Sequence, residues 1–171
     1  WIENSQSATG TIQTFGKTFS GIAVNYGVSG TFRPLGDLSC DGQVQLFAGN
    51  FDMTNNGTAN YKLTAEKFVD LIPYYSTRRI INFGTGLITL FGCSPTPTTY
   101  RQVLNISPTY TTLDTSGSHF FFSYAGSNTV VAQMIGCTMG DLSFGGGTGE
   151  VNFANNGVFN FRNMYIVTPS T

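Results

Sequence analysis

The segment Val151-Asn152-Phe153-Ala154-Asn155-Asn156-Gly157-Val158-Phe159-Asn160-Phe161 sets two apolar–polar alternations around one Asn-Asn-Gly turn. A period of two puts successive side chains on opposite faces of a β-strand. A two-residue turn at Asn156-Gly157 would place Phe153 opposite Asn160 and split the apolar set between faces. A three-residue loop, a type I turn with Gly157 left-handed as in a G1 bulge, pairs Ala154 with Val158, Phe153 with Phe159 and Val151 with Phe161. That register collects the apolar side chains on one face, and burial sets register. The stretch therefore reads as an antiparallel hairpin.

Phe51-Asp52-Met53-Thr54-Asn55-Asn56-Gly57-Thr58-Ala59-Asn60-Tyr61 repeats the pattern. The same loop aligns Met53 with Ala59 and Phe51 with Tyr61, leaving Asp52 and Asn60 outside. The residues between the two Asn-Asn-Gly turns do not align with one another, so two hairpins meeting one turn requirement explain the likeness better than duplication. Further strands are expected at 10–15, 20–28, 30–33, 43–48, 79–83, 86–91, 100–106, 118–124, 129–135 and 165–168, bounded by Gly, Asn, Pro and Ser. His119-Phe120-Phe121-Phe122 offers apolar groups to both sides and reads as a central strand. One helix is expected over about 65–73, with Thr64 as N-cap, a Phe68, Leu71, Ile72 stripe and Pro73 as the stop. The fold class that follows is all-β: an antiparallel β-sandwich or jelly-roll-like barrel with one short helix, as a single domain over 1–171. The chain opens on Trp1 rather than Met, which reads as a processed or excised part of something longer.

Hydrophobic residues make up 40% of the chain, with fifteen Phe and eight Tyr, enough to bury one sizeable core. Charged residues reach only 10%, against about 25% in ordinary soluble domains, so Ser, Thr, Asn, Gln and Gly must carry the surface. The net charge is −1 and the only adjacent basic pair is Arg78-Arg79, which argues against nucleic acid as a partner. No apolar run approaches the roughly 18–20 residues of a membrane helix. Cys40, Cys93 and Cys137 are odd in number and far apart, so at most one pair can form; buried thiols are the simpler reading.

Catalytic constellations were sought and not found. His119 has Asp114 near in sequence but no G-x-S-x-G context for a nucleophile. Glu3, Glu66, Glu150 and the scattered Asp residues show no spacing that pairs two carboxylates. Asp37-Leu38-Ser39-Cys40-Asp41-Gly42 lacks the ligand alternation of a calcium loop, and Gly145-Gly146-Gly147-Thr148-Gly149 lacks the Lys-Ser/Thr of a phosphate loop. No metal, cofactor or enzyme activity is therefore expected.

The most site-like stretch is Pro73-Tyr74-Tyr75-Ser76-Thr77-Arg78-Arg79. Tyr74, Tyr75, Arg78 and Arg79 would supply aromatic faces and planar donors to a sugar or a protein epitope. Asn56-Gly57-Thr58 and Asn105-Ile106-Ser107 are glycosylation sequons at Asn56 and Asn105. Together these features point to a non-enzymatic binding or assembly domain on a virion surface or in another extracellular setting. The leading reading is a viral or phage capsid protrusion or fibre head that attaches to a host glycan or protein receptor and forms a homodimer or homotrimer. A secreted carbohydrate-binding module or lectin is the alternative, and a small capsid or filament subunit the next.

Overall fold

In a computed structural model the strand at residues 31–34 lies between those at 9–12 and 50–52 and runs parallel to both. The same relation recurs at every described ladder, and it overturns the antiparallel sandwich and jelly roll. The described residues form a parallel β-solenoid of about five turns, with no helix among them. The structure describes residues 2–3, 8–27, 29–70, 79–92, 101–106, 111–115, 117–124, 130–133, 138–146, 151–154 and 160–167.

Each of the first five turns delivers one strand to each of three sheets, A, B and C in that order. The first turn is β1 (Ile2–Glu3), β2 (Thr9–Ile12) and β3 (Thr18–Phe19); the second is β4 (Ile22–Asn25), β5 (Thr31–Pro34) and β6 (Leu38–Cys40). The third is β7 (Gln43–Ala48), β8 (Asn50–Asp52) and β9 (Leu63–Ala65); the fourth is β10 (Lys67–Asp70), β11 (Arg79–Asn82) and β12 (Leu87–Leu90). The fifth is β13 (Arg101–Asn105), β14 (Thr111–Asp114) and β15 (His119–Tyr124). Thereafter β16 (Val130–Gln133) and β18 (Val151–Ala154) extend sheet A, while β17 (Thr138–Gly146) and β19 (Asn160–Val167) extend sheet C.

Alternation explains the strands, and stacking explains the core. In β7 the pattern Gln43-Val44-Gln45-Leu46 buries Val44 and Leu46, which lie in register with Ile22 and Val24 of the preceding turn. Down the axis the core is an aromatic spine. Phe32 stacks on Phe51 at 5.7 Å, Phe51 meets Phe68 edge-on at 5.1 Å, and Phe68 meets Phe83 at 5.2 Å. Phe83 then meets Phe120 at 5.5 Å, and Phe122 stacks on Phe144 at 5.8 Å. Such pairs add about 0.5–1.5 kcal/mol each beyond the area they bury. The corner between sheets A and B is closed by Gly49 at φ +88°; a Cβ there would sit 2.8 Å from the Gly30 carbonyl oxygen and the Tyr26 Cβ. Only glycine meets both demands.

Two expected hairpins are corrected by the same geometry. Residues 151–154 pair in parallel with β16, and β19, which begins at Asn160, pairs in parallel with β17 in a different sheet. Residues 155–159 of that turn lie outside the described residues. At the other turn, Phe51 belongs to sheet B and Leu63 to sheet C. The intervening loop does fold back, with Ala59 N–H on Thr54 O at 2.8 Å and Tyr61 N–H on Met53 O at 3.1 Å. Its tip is not a type I turn, because Asn55, Asn56 and Gly57 are all left-handed at φ 46°, 59° and 79°. Asn and Gly are the residues that tolerate this region.

The expected helix is corrected too. Residues 63–65 and 67–70 are β9 and β10, and 71–73 lie outside the described residues. Phe68 and Asp70 point inward and Lys67 and Val69 outward. Asp70 takes the core position directly above Leu46, where a carboxylate disguises the alternation. It is fully buried and forms an ion pair with Arg79, which is 2% exposed. Arg79 Nη1 also donates to the Leu46 carbonyl at 3.3 Å, and Thr111 Oγ1 donates to Asp70 Oδ2 at 2.9 Å. The pair thus ties sheet A to sheet B across the fourth turn.

The loop at 53–60 is anchored by a second buried carboxylate. Asp52 accepts from Thr54 N (2.9 Å), Thr54 Oγ1 (2.6 Å), Asn56 N (2.9 Å) and Arg33 Nε (2.7 Å). Burial alone would push this carboxyl up, but the hydrogen bonds from Thr54 and Arg33 and from the Asn56 and Thr54 amides hold it below the usual aspartate range. The folded pKa is therefore below the unfolded one. The resulting stability is complete above the unfolded value of about 3.9 and is lost as pH falls through the folded pKa.

Two stability predictions follow from these carboxylates. Arg79→Met or Asp70→Asn should each destabilise by about 3–5 kcal/mol in urea melts, while the double substitution Asp70→Leu/Arg79→Met recovers most of that loss. Asp52→Asn should cost about 1–3 kcal/mol at pH 7. It should also flatten the fall in melting temperature below about pH 4, measured against the parent chain across that acid limb.

Candidate functional site on the outer face of sheet C

Parallel in-register strands turn a single outward position into a ladder, with rungs about 4.8 Å apart. On the outer face of sheet C one ladder runs Leu87, His119, Asp141, Asn163 and the next runs Thr89, Phe121, Ser143, Tyr165. The last three rungs, on β15, β17 and β19, gather most of the polar chemistry. His119 Nε2 lies 2.6 Å from Ser143 Oγ, and the His119 and Tyr165 rings are 6.5 Å apart at 46°. Asp141 Oδ1 accepts from Arg162 Nε at 3.1 Å and Asn163 Nδ2 at 2.9 Å, and Oδ2 accepts from Arg162 Nη2 at 3.0 Å.

This is a two-pronged Arg–carboxylate pair braced by an amide, the geometry in which such pairs are most directional. The Arg162 and Asn163 hydrogen bonds hold the Asp141 carboxyl below the usual range against a small opposing effect of burial, with the Arg162 and His119 charges adding to it. The carboxylate raises the Arg162 guanidinium in turn. Asp141 is thus an anion throughout the physiological range, fixed in orientation before any ligand arrives. Tyr165 is 48% exposed beside it. The surface combines fixed acceptors, fixed donors and one accessible aromatic face.

A serine, a histidine and an aspartate lie side by side here, yet the arrangement is not that of an activated nucleophile. The carboxylate that would orient His119 is bound on both oxygens by Arg162 and Asn163. Ser143 is only 5% exposed, so its hydroxyl serves to hold the imidazole rather than to meet a substrate. Among the described residues no group of three His, Cys, Asp or Glu gathers that could hold a metal ion. Cys40 is buried and reduced, its thiol pushed up to about 11 by burial and by Asp41. Cys93 and Cys137 lie outside the described residues.

The residues expected from sequence fall elsewhere. Tyr74, Tyr75 and Arg78 lie outside the described residues, and Arg79 is in the core, committed to Asp70. Asn56 is exposed at the tip of the 53–60 loop, and Asn105 is half-buried at the end of β13. Asp37 caps a corner by accepting from Lys62 N–H at 2.9 Å. A shallow groove of about 380 Å³ on the outer face of sheet A is lined by Ser20, Gly21, Ile22, Ala23, Gln43 and Gln45. Gln45 spends its amide on Gln43 at 3.2 Å, and none of the lining residues is charged.

The signal that would have found the sheet C cluster is a shift of 22. Ser118-His119-Phe120-Phe121-Phe122, Gly140-Asp141-Leu142-Ser143-Phe144 and Arg162-Asn163-Met164-Tyr165-Ile166 align at that spacing, each with a large apolar residue at its third and fifth positions. Comparison of the chain with protein-family models, curated proteins and solved structures returns no match. A fluorophosphonate probe should leave Ser143 unlabelled; stoichiometric labelling that Ser143→Ala abolishes would make the Ser143–His119 pair a nucleophile instead.

Proposed function

We propose that the chain is a non-enzymatic attachment domain, displayed on a virion or in another extracellular setting, that takes a glycan on the outer face of sheet C. The observation that carries this reading is the preorganised cluster of Asp141, Arg162, Asn163 and His119 beside the exposed ring of Tyr165. Sugars present adjacent hydroxyls, each both donor and acceptor, and a face of C–H groups. The first suits a carboxylate, guanidinium and amide already hydrogen-bonded together, and the second suits an aromatic face. Because the partners are already hydrogen-bonded to one another, little side-chain entropy remains to be lost on binding. The low charge of the chain supports the same setting, since a surface of Ser, Thr, Asn and Gln remains soluble without attracting polyanions.

The test is a glycan array followed by calorimetry on the strongest hit. The 171-residue chain should bind a defined subset of glycans. Tyr165→Ala and Asp141→Asn should each weaken that binding at least tenfold, and Gln45→Ala, on the groove of sheet A, should leave it unchanged. Binding lost through Gln45→Ala but not Tyr165→Ala would move the site to sheet A, and silence across the array would overturn the glycan reading.

A further inference from the structure

Among the described residues nothing covers the end of the inward columns of sheet C. Ile88, Phe120, Leu142 and Met164 form one column, and Leu90, Phe122, Phe144 and Ile166 the next. Phe120, Phe122 and Leu142 are at most 1% exposed, whereas Met164 is 52% and Ile166 71% exposed on the last strand. Phe161 and Tyr165 add 42% and 48%. All of Asn160–Ile166 is exposed, and among the described residues nothing pairs with the far edge of β19. Sheet edges are ordinarily guarded by charge, Pro or a bulge. Here the only charge from Asn160 to Ile166 is Arg162, already neutralised by Asp141.

We infer that β19 is the interface of a two-fold dimer, in which it pairs antiparallel with β19 of a second copy and joins the two C sheets into one. Register and length select this occupant. In an antiparallel ladder centred on Tyr165, Met164 faces Ile166 of the copy and Ile166 faces its Met164. Both core columns then close at once, and the two Tyr165 residues meet on the outer face. A head-to-tail stack would instead offer β19, eight residues long, the two-residue β3 at the other end of sheet C. Most of the open edge would stay unmet, so the isologous contact wins. Met164, Tyr165 and Ile166, each of roughly 200 Å² and about half exposed, contribute on the order of 300 Å² per copy. That is about 600 Å² of the roughly 1,200 Å² that a specific interface needs, with the paired backbone of residues 163–167 to supply more. The pairing does not depend on what the outer face binds, but it sets two copies of the cluster side by side on one continuous sheet.

Sedimentation equilibrium of the 171-residue chain should give a monomer–dimer equilibrium. The double substitution Met164→Lys/Ile166→Lys should weaken it at least tenfold, with the circular dichroism spectrum retained. Tyr165→Cys supplies an independent reading that keeps the Met164 and Ile166 contacts. Opposed Cα atoms in an antiparallel pair are about 4.5–5.5 Å apart, inside disulfide range, so mild oxidation should give a covalent dimer. In that register Asn163→Cys lies roughly 13 Å from its own copy and should cross-link no more than the parent chain. A parent chain that stays monomeric at high concentration, or an open-ended series of larger species, would overturn the inference. So would equal cross-linking of the two cysteine variants. A binding failure on the glycan array would leave these outcomes unchanged.

Discussion

Every turn of this chain is an incomplete object whose inward row finds its partner only in the row above and the row below. That constraint, in-register stacking along a single axis, governs the rest of the structure. It demands that alternate residues be apolar, and Val24, Leu46, Phe32, Phe51, Phe120 and Leu142 comply. It demands corners tight enough to repeat, hence Gly49 beneath Gly30. It also makes departures expensive. Asp70 enters the Val24–Leu46 column, and a carboxylate there is tolerable only because Arg79 is drawn in from sheet B to meet it. A hydrophobic pair would suit stability at least as well. What the ion pair adds is a pairing between one residue of sheet A and one of sheet B, which locks the register of the fourth turn across a corner.

Much of the local structure was legible in the sequence, because alternation is a property of one strand. Gln43–Ala48 coincides with β7, and 79–83, 86–91 and 118–124 each contain a strand. What alternation does not encode is the partner. A strand with one dry face reads identically whether its neighbour is a hairpin partner a few residues away or the next turn of a coil. The Asn-Asn-Gly turns then tipped the reading toward hairpins, although at Asn55-Asn56-Gly57 the three left-handed residues simply reverse a protruding loop. The repeat that would have decided the matter is irregular. Val24 meets Leu46 after 22 residues (46 − 24), but Phe68 meets Leu104 after 36 (104 − 68), because the number of residues between successive strands differs from turn to turn. Asp70 compounded this by breaking the inward apolar row where a short helical stripe was also available.

The candidate site was hidden for the same reason. His119 was weighed against Asp114, its neighbour in sequence, whereas its neighbours in space are Asp141 and Ser143, one coil further on. Asn163 and Tyr165 lie one coil beyond those. In a solenoid a site is written down the ladder rather than along the chain, so motif reading misses it by construction. The same geometry explains its rigidity. Each polar side chain stands on a strand hydrogen-bonded on at least one side, and none of the cluster depends on a loop. Preorganisation is thus a property of the fold, and specificity can change rung by rung without disturbing the core behind it.

That independence has one exception, which lies at β19. Its inward residues, Met164 and Ile166, continue the core columns, while its outward residues, Asn163 and Tyr165, complete the polar cluster. An edge strand guarded by lysine or proline would protect the end of the solenoid but spoil one face or the other. A charge on the inward side would abut Leu142 and Phe144, and a charge on the outward side would compete with the Asp141–Arg162 pair. The chain instead leaves the inward side of the strand apolar, and a second copy would cover it. The cluster and the open edge are two consequences of one choice of residues, and a copy that covers the edge also fixes the spacing between clusters. Recognition of a repeating ligand would then gain from two linked sites at no cost in new contacts.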